Sequence, residues 1–219
     1  MNRILLISAL LIIGSLFFSQ CKKKTNQVNF KGTVVDPGKN EAVTDAKVTL
    51  ASTAVQSWVY NSNFQDIASV NTAQDGSFEF IFDEQAASAY RIYIFKQNYF
   101  SNTTIINANE VTSDEAYNDT FELIPEALIS LRIKNQAPVD SADRIMFRIN
   151  KGAVVCPNGC PSDYIQGLGP DYDTTINCKT YGNAYFLLES NITKGGSTIL
   201  HLDSVYLNPF VTTEFNIYY

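Results

Sequence analysis

Apolar and polar residues alternate along much of the chain, the pattern of a β-strand with one buried face. The alternation is clear in residues 28–35, 78–82 and 90–96. Turn-forming residues separate these runs, as in the Asp-Pro-Gly-Lys-Asn sequence at 36–40 and the Asp-Gly pair at 75–76, a hairpin signal. No long stretch has the helical period, so the pattern predicts an all-β protein.

The alternation stops at Pro125, which cannot donate to a central strand ladder, and resumes from about residue 127. Five further runs follow, at residues 128–134, 144–149, 184–188, 197–207 and 212–219. We therefore predict a domain boundary near Glu126 and a β-sandwich domain at residues 126–219, after a separate β-domain that ends at Pro125. The second domain contains a long loop, residues 151–174, which is rich in glycine, proline and aspartate.

Several short motifs of the first domain occur in a recognisable order. They are Gly-Thr-Val-Val-Asp at 32–36, Ala-Lys-Val-Thr-Leu at 46–50, Asp-Gly-Ser-Phe at 75–78, Tyr-Arg-Ile-Tyr-Ile at 90–94, Asn-Tyr at 98–99 and Phe-Glu-Leu at 121–123. This order resembles the carboxypeptidase regulatory-like domain, which is common in exported Bacteroidetes proteins. The resemblance implies a transthyretin-like β-sandwich over about residues 28–125. Asn98 stands where glycine is usual. The segment 51–72 is longer than expected, and this extra length leaves the middle strands unplaced.

The first twenty residues have the pattern of a secretory signal peptide. Arg3 precedes an apolar run at 4–13, which is short for a permanent membrane span. The sequence Phe-Ser-Gln-Cys at 18–21 resembles the lipobox of bacterial lipoproteins. The resemblance implies cleavage before Cys21, acylation of that cysteine with fatty acids such as palmitate, and a lipidated tether at residues 21–27. The lysines at 22–24 could contact anionic headgroups or serve as a solvated spacer.

The same resemblance implies a location. Some lipoproteins exported to the cell surface carry acidic residues just after the cysteine, whereas this chain carries lysines. We therefore expect lipid anchoring in the outer membrane, with the periplasmic face favoured over the cell surface.

Composition limits the possible functions. Of the residues, 45% are hydrophobic and 12% aromatic, enough for a packed core, and the formal net charge is −6. An acidic chain without a basic stripe is unsuited to nucleic acid, because neutralising phosphates requires clustered lysine and arginine.

The chain has one histidine, His201, and it shares a predicted strand face with Asp203. Such a pair could orient a base beside a serine nucleophile, but there is no Gly-x-Ser-x-Gly elbow. We expect no catalytic site, no cofactor and no metal site, and keep a hydrolase using His201 and Asp203 as a minor alternative.

Three cysteines follow Cys21. An exported chain meets oxidising conditions, so we expect one disulfide. The Pro-Asn-Gly segment between Cys156 and Cys160 could form a turn that joins them, so this pairing is predicted, with both pairings to Cys178 left open. Cys178 alternates with Ile176, which favours a buried thiol. A zinc site of the three cysteines and His201 is a weaker alternative, because the spacing matches no familiar ligand pattern.

The loop 151–174 carries possible ligand contacts in Tyr164, Tyr172, Asp171 and Asp173. Tyrosines and carboxylates together can hold a sugar, and carboxylates alone can hold calcium. A surface loop without a ligand is the simpler interpretation.

Together these features predict a non-enzymatic, lipid-anchored module that contacts a partner envelope protein or a glycan. The alternative is a structural or adhesive subunit of the fimbrial type. It would associate through an exposed edge strand such as the terminal residues 215–219.

Overall fold

The computed structural model of the protein describes residues 26–56, 59–150 and 159–219. Their regular structure is β-strand, apart from one turn of 3-10 helix at Ala108–Glu110. The predicted all-β fold is confirmed. Within these ranges, no helix combines the length and the hydropathy needed to cross a bilayer.

Eight strands form the first half of the described chain. They are β1 (Gln27–Asp36), β2 (Glu41–Ala42), β3 (Lys47–Gln56), β4 (Val59–Asn71), β5 (Ser77–Asp83), β6 (Ala89–Phe95), β7 (Asn102–Asn107) and β8 (Tyr117–Glu122). In one sheet, β1 pairs with β2, β5 and β8; the other has the order β4-β3-β6-β7. Alternate residues of both sheets, such as Phe30 and Ile92, enter one buried cluster. The first half is therefore a β-sandwich.

Seven strands form the second half. They are β9 (Glu126–Lys134), β10 (Arg144–Asn150), β11 (Ile165–Leu168), β12 (Asp173–Tyr181), β13 (Ala184–Lys194), β14 (Ser197–Leu207) and β15 (Thr212–Tyr218). Their sheets have the orders β11-β10-β13-β14 and β12-β9-β15. The two sheets enclose a second buried cluster that includes Leu131, Phe147 and Leu188. The second half is likewise a β-sandwich.

The two halves share one feature of topology. In the first half, β1 pairs in parallel with β8, the last strand of that half. In the second half, β9 pairs in parallel with β15, again the last strand. The other strand pairs named here are antiparallel. Each sandwich is thus completed by joining its own first and last strands.

Direct contacts join the two halves. The side-chain amide of Asn183 donates to the carboxylate of Asp36 at 2.5 Å, and both residues are buried. Gly38 lies so close that an added Cβ would come within 2.5 Å of the Asn183 carbonyl oxygen. The rings of Phe100 and Tyr181 also meet edge to face, with centroids 4.9 Å apart. The junction is therefore packed and hydrogen-bonded.

The segment 151–174 differs from the single long loop that its composition predicts. Residues 151–158 lie outside the described residues. Beyond them, β11 pairs with β10 in one sheet of the second sandwich. From Asp173 onward, β12 pairs with β9 in the other sheet. Backbone pairing outweighs the turn-rich composition here.

The predicted Cys156–Cys160 disulfide is wrong. Cys160 is bonded to Cys178, with a Cα–Cα distance of 4.9 Å. The backbone amide of Cys160 donates to the carbonyl of Lys179 in β12. Residue 160 therefore lies beside β12, the strand that contains Cys178. Cys178 is consequently not a free thiol, and Cys156 lies outside the described residues.

Candidate interaction surface

The longest hairpin of the second half presents the most exposed apolar strand. β13 and β14 pair without a register shift from Ala184 and Leu207 to Lys194 and Ser197. Gly195 and Gly196 turn the chain with φ of 53° and 79°. Positive φ at both positions is the type I′ geometry, which suits the twist of a two-residue hairpin. This Gly-Gly signal is visible in the sequence, and sequence reasoning missed it.

The outer face of the sheet β11-β10-β13-β14, called here the apolar face, carries many large hydrophobic side chains. The strand registers place on it eight that are exposed to solvent: Met146, Tyr164, Leu168, Tyr185, Leu187, Leu200, Leu202 and Tyr206. The Arg148–Glu189 ion pair and Asn191 lie among them on the same face. Isolated exposed hydrophobics are ordinary, but eight on one face indicate an interaction site.

The outer face of the other sheet, β12-β9-β15, is polar. There Asp173 accepts hydrogen bonds from Arg132 at 3.0 and 2.8 Å, and Lys134 lies 3.2 Å away. Hydrogen bonding to Arg132 lowers the pKa of Asp173 to about 2, with a further contribution from Lys134. Among the described exposed large hydrophobics, that face holds only Leu128 and Tyr218. The two outer faces of one sandwich therefore differ in chemistry.

Strand β14 is also the free edge of its sheet. Its first six residues are all exposed, with Ile199 at 60%, Leu200 at 57% and Leu202 at 75% exposure. The strand contains no lysine or proline, which often protect an edge from pairing with another chain. Its one charged residue is Asp203, which lies opposite the core residue Leu188 in the strand register. Its free backbone groups and apolar side chains form a suitable template for an added strand. The predicted edge at 215–219 also exists, as β15, but its exposed Glu214 and Asn216 are polar.

His201 and Asp203 line a cleft of about 480 Å³ between β14 and β15, together with Lys194, Asn216 and Tyr218 among others. Ser190 lies opposite His201 in the strand register. Its hydroxyl is buried and makes no hydrogen bond within the described part of the chain. A serine–histidine–aspartate relay is therefore not assembled in this cleft.

The four predicted ligand contacts of the loop do not converge. Tyr164 lies on the apolar face, where its hydroxyl donates to Glu189, the ion-pair partner of Arg148. The ring of Tyr172 instead packs over Gly167 against the core. Asp173 belongs to the polar outer face of the other sheet, and Asp171 is an exposed residue beside it.

The described residues do not form a metal site either. Across residues 26–56, 59–150 and 159–219, no three histidine, cysteine, aspartate or glutamate side chains lie close enough to hold an ion. The suggested Cys₃His set is broken, because Cys160 and Cys178 are joined to each other.

No protein-family model and no curated protein matches the chain. Among solved structures, the Bacillus anthracis TIE protein is 11% identical, with 88% of this chain and 34% of that chain covered and a TM-score of 0.38. A streptococcal ancillary pilin is 13% identical, with 89% and 63% covered and a TM-score of 0.34. The shaft pilin SpaA of Lactobacillus rhamnosus GG is 9% identical, with 89% and 98% covered and a TM-score of 0.35.

The chain spans about a third of the TIE protein and less than two thirds of the ancillary pilin. At these TM-scores and identities, what those proteins do does not transfer to this chain.

Proposed function

We propose that the protein is a structural or adhesive subunit that acts by contact and associates with a second copy of itself through β14. The observation that supports this most strongly is the free edge of β14, where Ile199, Leu200 and Leu202 are exposed to solvent. An extended edge gains backbone hydrogen bonds and buries apolar surface when it pairs with another strand.

The sequence of β14 is complementary to itself in one antiparallel register. If two copies pair about Leu202, each His201 lies opposite Asp203 of the other copy, and each Ile199 lies opposite Val205. The two Leu202 side chains then meet at the symmetry axis. Directly opposed residues have Cβ atoms about 4.5–5.5 Å apart, so the polar and apolar pairs are in contact distance. The contact is isologous and closes a dimer.

Cysteine cross-linking tests this arrangement. In the full chain, Leu202→Cys should give a disulfide-linked dimer on a non-reducing gel, because the residue faces its own copy across the axis. Leu168→Cys is the matched control, since Leu168 is 65% exposed on the same face but lies on β11, at the opposite edge. Equal dimer yield from the two variants, or none from Leu202→Cys, would contradict the proposal.

Charge at the same position gives a second test. Leu202→Lys would place two ammonium groups opposite each other at the axis, so we expect dissociation in sedimentation velocity, with the fold retained. Leu168→Lys should leave the association unchanged. A wild-type protein that is monomeric at high concentration would exclude the dimer without any variant.

We further propose that the subunit is held at the outer membrane by lipid on Cys21. The support is the signal-like and lipobox-like sequence at residues 1–21, which lies outside the described residues. Mass spectrometry of native protein should find an acylated Cys21 as the first residue. An unmodified thiol there, or a retained leader, would contradict the anchor but not the β14 contact.

A further inference from the structure

A cleft of about 550 Å³, called here the junction cleft, lies between the two sandwiches. The first sandwich contributes the outer side of β6, the start of β7 and the segment before it. The second contributes the beginning of β9 and the end of β12. Clefts between packed units are frequent ligand sites, because two surfaces can contact a ligand at once.

Aromatic side chains form much of this cleft. Tyr93 and Phe95 stand two residues apart on the outer face of β6, exposed by 37% and 48%. Phe100 and Tyr181 are the edge-to-face pair that joins the two halves. Aromatic rings in an open cleft offer flat apolar surfaces on which the face of a ring-shaped ligand can stack.

Polar groups of both signs surround the rings. Lys179 and Glu126 form an ion pair at 2.8 Å, and the exposed Glu122 lies nearby. The side chain of Asn102 donates to the backbone carbonyl of Glu122 at 2.7 Å. The cleft therefore offers hydrogen-bond donors and acceptors without an excess of positive charge, so it does not select an anion.

We propose that the junction cleft binds a neutral carbohydrate. A pyranose ring has an apolar C–H face for stacking on Tyr93 and Phe95, and hydroxyl groups at its edge that can both donate to carboxylates and accept from Lys179. An aliphatic ligand would use the aromatic surfaces but none of the hydrogen-bonding groups beside them. A nucleotide could stack as well, but the net charge of −6 opposes its phosphates.

Titration calorimetry with defined sugars tests the proposal. The full chain is purified in a detergent without a sugar headgroup and titrated with pentasaccharides of glucose, xylose, mannose and N-acetylglucosamine. We expect at least one to bind with a Kd below about 1 mM. The double variant Tyr93→Ala with Phe95→Ala should weaken that binding about tenfold or more, because two exposed stacking surfaces are removed.

Ile105→Ala is the matched control, since Ile105 is 56% exposed on β7 and does not line the cleft. Its affinity should equal that of the wild type, as should the affinity of Leu202→Lys, which separates this site from the β14 contact. Absence of binding by all four sugars, or equal weakening by Ile105→Ala, would overturn the proposal.

Discussion

In the second sandwich, hydrogen bonds and nearby cations stabilise the ionised form of two carboxylates, Asp143 and Asp173. Asp143 is fully buried, and hydrogen bonds from the side chain of Asn135 and the backbone of Val139 lower its pKa. Lys194, which donates to Asn135, adds a favourable charge. Asp173 is more exposed and depends on Arg132 and Lys134 instead. Asp143 anchors the segment before β10, and Asp173 links β12 to β9.

The lowered pKa of Asp173 predicts how stability depends on pH. Its carboxylate is favoured in the folded state, so its contribution is fully present above about pH 4 and is lost as pH falls from the ordinary value of 3.8 towards about 2. Asp173→Asn should remove that part of the acid sensitivity in urea denaturation at pH 5, 3.5 and 2.5. Because Asp173 is partly exposed, the difference should be modest.

Asp171→Asn is a suitable control, since Asp171 is exposed and makes no ion pair among the residues that the structure describes. If this control and Asp173→Asn had the same pH profile, the ion pairs to β9 would not be the cause of the acid sensitivity.

At the scale of strands, alternation predicts well where one face is buried. The runs at 28–35, 78–82 and 90–96 lie within β1, β5 and, apart from one residue, β6, because each alternates regularly between core and solvent. The same rule does not find β11, which has only four residues, including Gly167. Its pairing with β10, rather than local sequence, makes it a strand. The transthyretin-like relationship of the first sandwich stays a prediction.

The contact surface was harder to predict than the strands. In β14, Ile199 and Leu200 are both exposed although they point to opposite faces. A sequence pattern predicts burial for such residues, because it does not reveal that the strand is an edge. The predicted ligand contacts of the loop are separated for a related reason. Residues that are close in sequence lie on different sheets and faces of the sandwich, as Tyr164 and Asp173 do.

The disulfide connects two elements, because Cys160 precedes β11 and Cys178 lies in β12. Cys160 and Cys178 are 18 residues apart, and closing a loop of that length contributes about 3 kcal/mol by restricting the unfolded chain. We expect Cys178→Ser to lower the free energy of unfolding by about that amount in urea. Cys156→Ser should have little effect, and peptide mapping should recover the 160–178 link. A 156–160 link would contradict the structure.

For the whole molecule, the junction between the sandwiches depends on a few buried polar groups. Asn183 adopts φ 54°, a left-handed conformation in which its amide reaches Asp36 and its Oδ1 lies 3.4 Å from the hydroxyl of Tyr206. The same junction forms the floor of the junction cleft through Phe100 and Tyr181. Residues that stabilise the junction between the sandwiches therefore also shape the junction cleft.

Asn183→Gly removes the hydrogen bonds to Asp36 and Tyr206 without backbone strain, because glycine accepts the same φ. The Asp36 carboxylate keeps the hydrogen bond from the amide of Gly38 at 2.9 Å but loses its side-chain donor. A lost hydrogen bond to a buried charged group costs about 1–3 kcal/mol, so we expect a loss of that size in the free energy of unfolding. Asn98→Gly makes the same replacement at φ 64° on an exposed residue and should be nearly neutral. Similar losses for both variants would show that the Asp36 contact contributes little.

The parallel pairing of first and last strands also has a consequence for biosynthesis. Synthesis runs from the N-terminus, so β8 becomes available to β1 before the strands of the second half emerge, and the first sandwich can complete its hydrogen bonding early. In contrast, β9 must wait for β15, which emerges after every other strand. Until then the flank of β9 is unpaired, so we expect the second sandwich to be the half more exposed to aggregation during folding.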